Sequence, residues 1–183
     1  MIKQTLEYLT EELALGLDLD IADVHLDNLK KIQEESAQGL IISLLNVEEE
    51  STLKNTPHFI RKNNQLLYKA PPVFLNMNIL MAFEFEDYGT SLQRLGETIN
   101  FFQSKRWFST ENERAENPFP IGVQRVILDL HQLNFEQMNH IWSISGGSQF
   151  PSLLYKVRLV KIQPDDEIEG PEIDTIQLDS GLM

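Results

Sequence analysis

Val73, Leu75, Met77, Ile79, Met81 and Phe83 occupy every second position over eleven residues. Successive side chains of a strand point to opposite faces, so this run predicts one long strand with a wholly apolar face. Asn76 and Asn78 fall on the other face. A strand of this kind cannot stand alone. It requires a sheet, and elements to cover that sheet.

The remaining elements follow from period and punctuation. Ile2, Leu6, Leu9 and Leu13 predict an amphipathic first helix ending near Gly16, with Glu7, Glu11 and Glu12 toward water. Val24, Leu26 and Leu29 suggest a short strand or turn. Leu40 to Val47 is a nearly continuous apolar run and predicts a strand buried on both faces, ended by Glu48, Glu49 and Glu50. Residues 51–71 read as a loop or loose hairpin with Lys62, Asn63, Asn64 and Gln65 at its tip. Tyr88, Leu92, Leu95, Ile99 and Phe102 predict a second helix, with Asp87 or Thr90 near its cap. Residues 104–120, with Pro118 and Pro120, read as an exposed loop before a strand at Val123–Leu130.

Asn134 followed by Gln137, with Leu133 and Met138 at staple positions, marks the start of a third helix. Phe135, Met138 and Trp142 share its apolar face, and Gly146-Gly147 stop it. Leu153–Ile162 is the last strand. The fold class is therefore α/β (α+β): one domain, a mixed sheet of about four to six strands, and about three flanking helices. The expected division is a domain over residues 1–163 and an acidic tail over 164–183.

Charge narrows the function classes. The formal net charge is −13, and residues 164–183 hold seven acids and no Lys or Arg, leaving −6 for residues 1–163. No clustered basic face favours nucleic acid, and like-charge repulsion disfavours an anionic membrane. Apolar runs such as 40–45 and 79–83 are too short to span a bilayer. The first residues carry acids and lack a signal-like apolar stretch, so the expected compartment is the cytoplasm. The chain has no cysteine, which excludes disulfides and thiol chemistry.

The search for catalysis or metal binding yields no constellation. His25, His58, His131 and His140 show no i, i+4 pair and no HExxH motif. Asp129 and His131 share a strand face without a GxSxG nucleophile elbow. Ser145-Gly146-Gly147-Ser148 follows a helix, so it reads as a C-terminal turn and not as a phosphate cradle. Glu48–Glu50 read as a solvated strand end. No catalytic, cofactor-binding or metal residue is assigned, and the expectation is a chain that is not an enzyme and needs no cofactor. Lys156 and Arg158 lie on one face of the last strand, either as a solvated side or as a basic stripe meeting an acidic surface.

Six ordered stretches then matter together: Ile42-Ser43-Leu44-Leu45-Asn46-Val47-Glu48-Glu49-Glu50 with Leu53-Lys54-Asn55; Ala70-Pro71-Pro72-Val73-Phe74-Leu75-Asn76-Met77; Ile99-Asn100-Phe101-Phe102-Gln103; Gln137 to Ser143; Gly146-Gly147; and Pro151 to Val160. In this order, over about residues 1–163, the chain resembles the uncharacterised-domain family of tail terminators, or caps, of phage-tail-like extracellular contractile injection systems. These are the antifeeding-prophage and virulence-cassette particles. The resemblance implies a homo-hexameric ring that binds the inner-tube protein and the sheath protein, stops polymerisation and keeps the sheath attached. It implies no enzymatic activity. The chain is shorter at its C-terminus than the long members, which leaves open work beside a second cap paralogue. A chaperone or effector-associated binding domain of such a system, or the terminator of a true phage, are the alternative readings. A cap of this family would be made in the cytoplasm and then belong to a released or intracellular particle.

Docking of this kind needs anchors. Trp107, Phe108 and Phe119 make the 104–120 loop aromatic for a surface loop, and aromatic residues anchor interfaces well. Local packing under the loop is the alternative. Ile173 and Ile176, interleaved with acids, suggest an arm that orders on a neighbouring sheet edge, with Lys156 and Arg158 as charge partners. A solubilising tail is the alternative.

Overall fold

The computed structural model describes residues 1–30, 38–50, 59–62, 65–69, 72–162 and 167–169. In chain order these hold α1 (Ile2–Leu17), a 3₁₀ turn (Ile21–Asp23), β1 (Val24–Leu26), β2 (Gly39–Glu49), β3 (Phe59–Lys62), β4 (Gln65–Lys69) and β5 (Val73–Glu84). Then come α2 (Tyr88–Ser104), β6 (Trp107–Phe108), β7 (Val126–His131), α3 (Phe135–Ile144), β8 (Ser152–Ile162) and β9 (Glu167–Glu169). Six strands form one mixed sheet in the order β1-β2-β5-β8-β7-β6. Only β1 pairs parallel, with β2; the other neighbours are antiparallel.

The alternating strand sits where its pattern demands, between β2 and β8. Met77, Ile79, Met81 and Phe83 face the larger core, with Leu40 and Ile42 of β2, Tyr155 and Val157 of β8, and Leu6, Leu9 and Leu13 of α1. The opposite face is apolar too. Leu80 and Ala82, with Ile41 and Leu154, form a second core under Trp142 of α3. The sheet is therefore covered on both sides, by α1 and α2 on one and α3 on the other. Each large side chain fully buried in this way contributes roughly 1.5–3 kcal/mol of transfer free energy.

Beyond Leu80 that second face turns polar, and the ladders break there. The β2–β5 register shifts between Leu44 and Asn46, and the β5–β8 register between Leu75 and Met77. Each shift inserts an extra residue and re-aims the strand. This explains why β2 is buried only from Gly39 to Ser43 and exposed or part-exposed afterwards, instead of buried throughout.

Two helix readings change. α1 does not stop at Gly16. Asp18 closes it in the left-handed conformation (φ 52°), with its N–H on the Ala14 carbonyl. Gly16 is instead a packing glycine: a Cβ there would lie 2.3 Å from the Phe101 ring of α2. In α2, Asp87 caps through a hydrogen bond from Thr90 N–H at 2.9 Å. Its buried line is Ser91, Thr98 and Phe102, while Tyr88 and Leu92 are exposed. Ser91 fits because its hydroxyl accepts the Phe85 N–H at 3.0 Å and donates to the Asp87 carbonyl.

Candidate assembly interface

The residues first examined for chemistry take structural roles. A His25 ring nitrogen lies 3.1 Å from the Gln38 carbonyl, and His131 and His140 are exposed. His58 lies outside the described residues. Asp129 accepts from Arg158 Nη1 at 3.2 Å. Gly147, at φ 98°, donates its N–H to the Trp142 carbonyl at 2.8 Å, so the Gly-Gly pair is the end of α3. Among the described residues, no group of three His, Cys, Asp or Glu could hold a metal ion. None of the described helices is long and apolar enough to cross a membrane.

The 105–123 segment is not a free loop. Glu12 of α1, expected to face water, is fully buried. Its carboxylate receives Lys105 Nζ at 2.9 Å, Arg114 Nε at 3.4 Å and Asn117 Nδ2 at 3.3 Å. Asn117 Nδ2 also donates to the Tyr8 carbonyl at 3.0 Å. Burial, then the Glu12 charge, push the Tyr8 phenol well above its usual range. Tyr8 stacks edge-on against both Phe108 and Phe119, with centroids 5.9 and 5.1 Å away. Phe108 is 0% exposed and Phe119 4%. Both are core residues that pin the segment to α1, which corrects the expectation that they anchor a partner. Trp107 differs. It is 37% exposed on the edge strand β6, with the Arg125 guanidinium over its ring at 4.8 Å.

Lys156 and Arg158 lie in a polar network on the open part of the second sheet face. Lys156 Nζ is 3.7 Å from Glu48, while Arg158 reaches Asp129 at 3.2 Å and Glu50 at 3.8 Å. Asn78 and Asn46 donate to Glu48 at 3.1 and 3.2 Å, and Asn76 donates to Glu50 at 2.9 Å. The basic stripe is thus matched by acids of its own chain. Ile173 and Ile176 lie outside the described residues.

Sequence reasoning missed four apolar side chains that no core claims. Ile121 is 95% exposed, Phe135 91%, Ile144 78% and Tyr88 69%. Phe135 was expected on the buried face of α3; Met138, Ile141 and Trp142 take that place. The clefts are shallow and open. Two of them run between α1 and α2, about 450 Å³ beside Arg94 and Phe101, and between β2 and the end of α3, about 440 Å³. Edges are short as well. β6 pairs only with Val126 and Ile127, so among the described residues β7 from Asp129 to His131 has no outer neighbour.

Within the stretch expected to be a loop or loose hairpin, the described residues 59–62 and 65–69 pair as β3 and β4, with Lys62 opposite Gln65. The tail joins it: β9 pairs antiparallel with β4, setting Lys69 opposite Glu167, Tyr68 opposite Ile168 and Leu67 opposite Glu169. The small sheet, β3-β4-β9, is separate from the central one, whose β5–β8 ladder runs out to Val73 opposite Ile162.

Among the described residues the arrangement offers surfaces, edges and charge, and no reactive constellation. The whole backbone has counterparts. It superposes on the PVC sheath/tube terminator of an extracellular contractile injection system, in its extended state, with a TM-score of 0.64 at 16% identity; the match covers 100% of this chain and 65% of that one. It also superposes on the tube-terminating cap of the anti-feeding prophage with a TM-score of 0.66 at 15% identity, covering 94% of this chain and 59% of that one. The chain thus spans just under two thirds of the length of these structures. No curated protein sequence matches it. The family model described as the Pvc16 N-terminal domain matches residues 3–175. With that match running through almost every element described above, the chain belongs to the Pvc16 N-terminal domain family.

Proposed function

We propose that this chain is a structural cap of a contractile injection particle, closing the end of its inner tube and sheath. The observation that carries the reading is the correspondence of nearly the whole chain, in fold, with two terminators of such particles. The site supports it in kind: exposed apolar side chains on separate elements, short open sheet edges and a mixed-charge face suit docking more than turnover.

In this reading six copies close head to tail into a ring, which is how a heterologous contact makes a finite assembly. One side of the ring meets the last layer of tube and sheath subunits, by strand addition at an open edge and by apolar anchoring at Trp107 and its surroundings. The other side presents nothing for a further subunit to extend. The cap works through shape and bonding alone, without catalysis, cofactor, nucleic acid or membrane. A second cap paralogue would share the task if this copy meets only tube or only sheath.

Electron microscopy of particles assembled without the chain tests the reading. Abnormally long or ragged tubes, or sheaths that come away on contraction, are the expected result. Particles of uniform length that contract normally would overturn it.

A further inference from the structure

We infer that the open end of β7 is a docking cleft for an extended segment of a tube subunit, one that carries an Asp or Glu side chain. The partner rests on the cap reading, and of its two polymers the tube is the one that both matched structures end. The chemistry comes from the cleft itself.

The edge offers backbone bonds. Leu128 N–H donates to the Arg106 carbonyl at 2.9 Å, on the side of β7 where β6 lies. Peptide groups alternate in direction along a strand, so the N–H and C=O of Leu130 point to that same side. β6 pairs only with Val126 and Ile127, so among the described residues no strand takes the Leu130 groups. An incoming strand can bond to both. Its residue opposite Leu130 then turns its side chain to the face on which the Leu130 side chain lies.

That face holds a cleft of about 200 Å³ between the end of α2 and β7, lined by Phe102, Gln103, Arg106, Leu128, Leu130 and Tyr155. Two of these residues have a donor to spare. Arg106 is exposed, and its guanidinium bonds to Gln103 Oε1 and, among the described residues, to no carboxylate. Tyr155 is 2% exposed, and its hydroxyl has no hydrogen-bond partner. An unpaired buried hydroxyl is costly, and a carboxylate entering from the edge removes that cost by accepting from it. A cation and a donor in one cleft hold a carboxylate more strongly than a neutral group. Arg106 is also an exposed cation without an acid of its own, in a chain of net charge −13, so it selects its partner by charge. Trp107 follows it on β6 and stands exposed on the same edge.

Photo-crosslinking in purified particles tests the cleft. p-Benzoylphenylalanine is placed at Leu130, 44% exposed, and separately at Gln103, exposed on the cleft wall. The expected adduct from both positions is with the tube subunit, through one peptide that contains an Asp or Glu. Arg106→Gln or Tyr155→Phe, each combined with the Leu130 probe, should cut the adduct yield roughly tenfold, the worth of one hydrogen bond to a charged group. Arg106→Lys keeps the charge and should restore part of the yield. Both positions can change without loss of the fold, since Arg106 is exposed and Tyr155→Phe removes only an unpaired hydroxyl. Adducts with a copy of this chain or with the sheath subunit, a tube peptide without an acid, or yields unchanged by Arg106→Gln and Tyr155→Phe would overturn the cleft. So would the absence of any adduct from either position in particles that contain the chain, and the cap reading would then stand. Particles that never incorporate the chain would overturn both.

Discussion

Glu12 is the residue on which the 105–123 segment depends. A carboxylate at 0% exposure is tolerable only because Lys105, Arg114 and Asn117 converge on it. Glu12→Ala leaves two cations facing a void. The expected loss is about 3 kcal/mol, at the low end for breaking a buried pair, because Lys105 and Arg114 retain some access to water. A fall in the denaturant midpoint at unchanged slope would measure it; no shift would mean the cluster is not formed. Tyr155 makes the opposite case. Its hydroxyl is buried without a hydrogen-bond partner, and burial pushes its phenol from 10.0 up to about 12. The unfolded phenol ionises from about pH 10, while the folded one keeps its proton until about 12. Its contribution is therefore intact below pH 10 and lost as the pH rises through 12. Tyr155→Phe should match the parent at neutral pH or exceed it by up to about 1 kcal/mol, and should lose less stability between pH 10 and 12. Tyr8, raised in the same sense, leaves part of the alkaline slope in place. Parallel unfolding curves at pH 9 and 11 decide this, and equal alkaline losses would contradict it.

At the scale of elements, α3 shows how local chemistry holds a layer. Asn134 accepts the Gln137 N–H at 2.8 Å and Gln137 returns the bond to the Asn134 N–H at 3.0 Å. Asn134→Ala should cost about 1 kcal/mol, the usual worth of such a cap, read as a lower unfolding midpoint. A loss within error would mean that Trp142 packing alone sets the helix. This helix was legible in the sequence because its signals are short-range: a cap, a staple and a glycine stop. The long strand and β8 were legible because period two survives any tertiary context that covers one face. What remained hidden depends on contacts distant in sequence. Glu12 faces inward because Lys105 and Arg114 arrive from more than ninety positions away, and no window around α1 contains them. Gly16 looked like a helix stop, since glycine is cheap in the left-handed conformation, but Phe101 of α2 explains its small size. Phe108 and Phe119 looked like surface anchors because proline and asparagine around them spell a loop. Tyr8 turns that loop into the rim of the core. Phe135, Ile121 and Ile144 stayed invisible as exposed residues for the converse reason: an apolar residue reads as buried until the fold leaves it nothing to pack on.

At the scale of the molecule, the sheet is covered on both faces where its residues are apolar and left open where they are polar. Its edges end in strands of two and three residues. A second, three-stranded sheet joins the β3–β4 hairpin with β9. The family match covers nearly the same span, residues 3–175. Such a body can dock in layers, and the central claim is that it docks at one end of a polymer. The most direct measurement places it there. Particles built with a chain carrying a hexahistidine tag ahead of Met1, which is exposed, would be labelled with nickel-coated gold and imaged unstained. The account predicts gold at a single end of each extended particle, opposite the baseplate. Gold spread along the sheath, at the baseplate, or only on unassembled protein would contradict it.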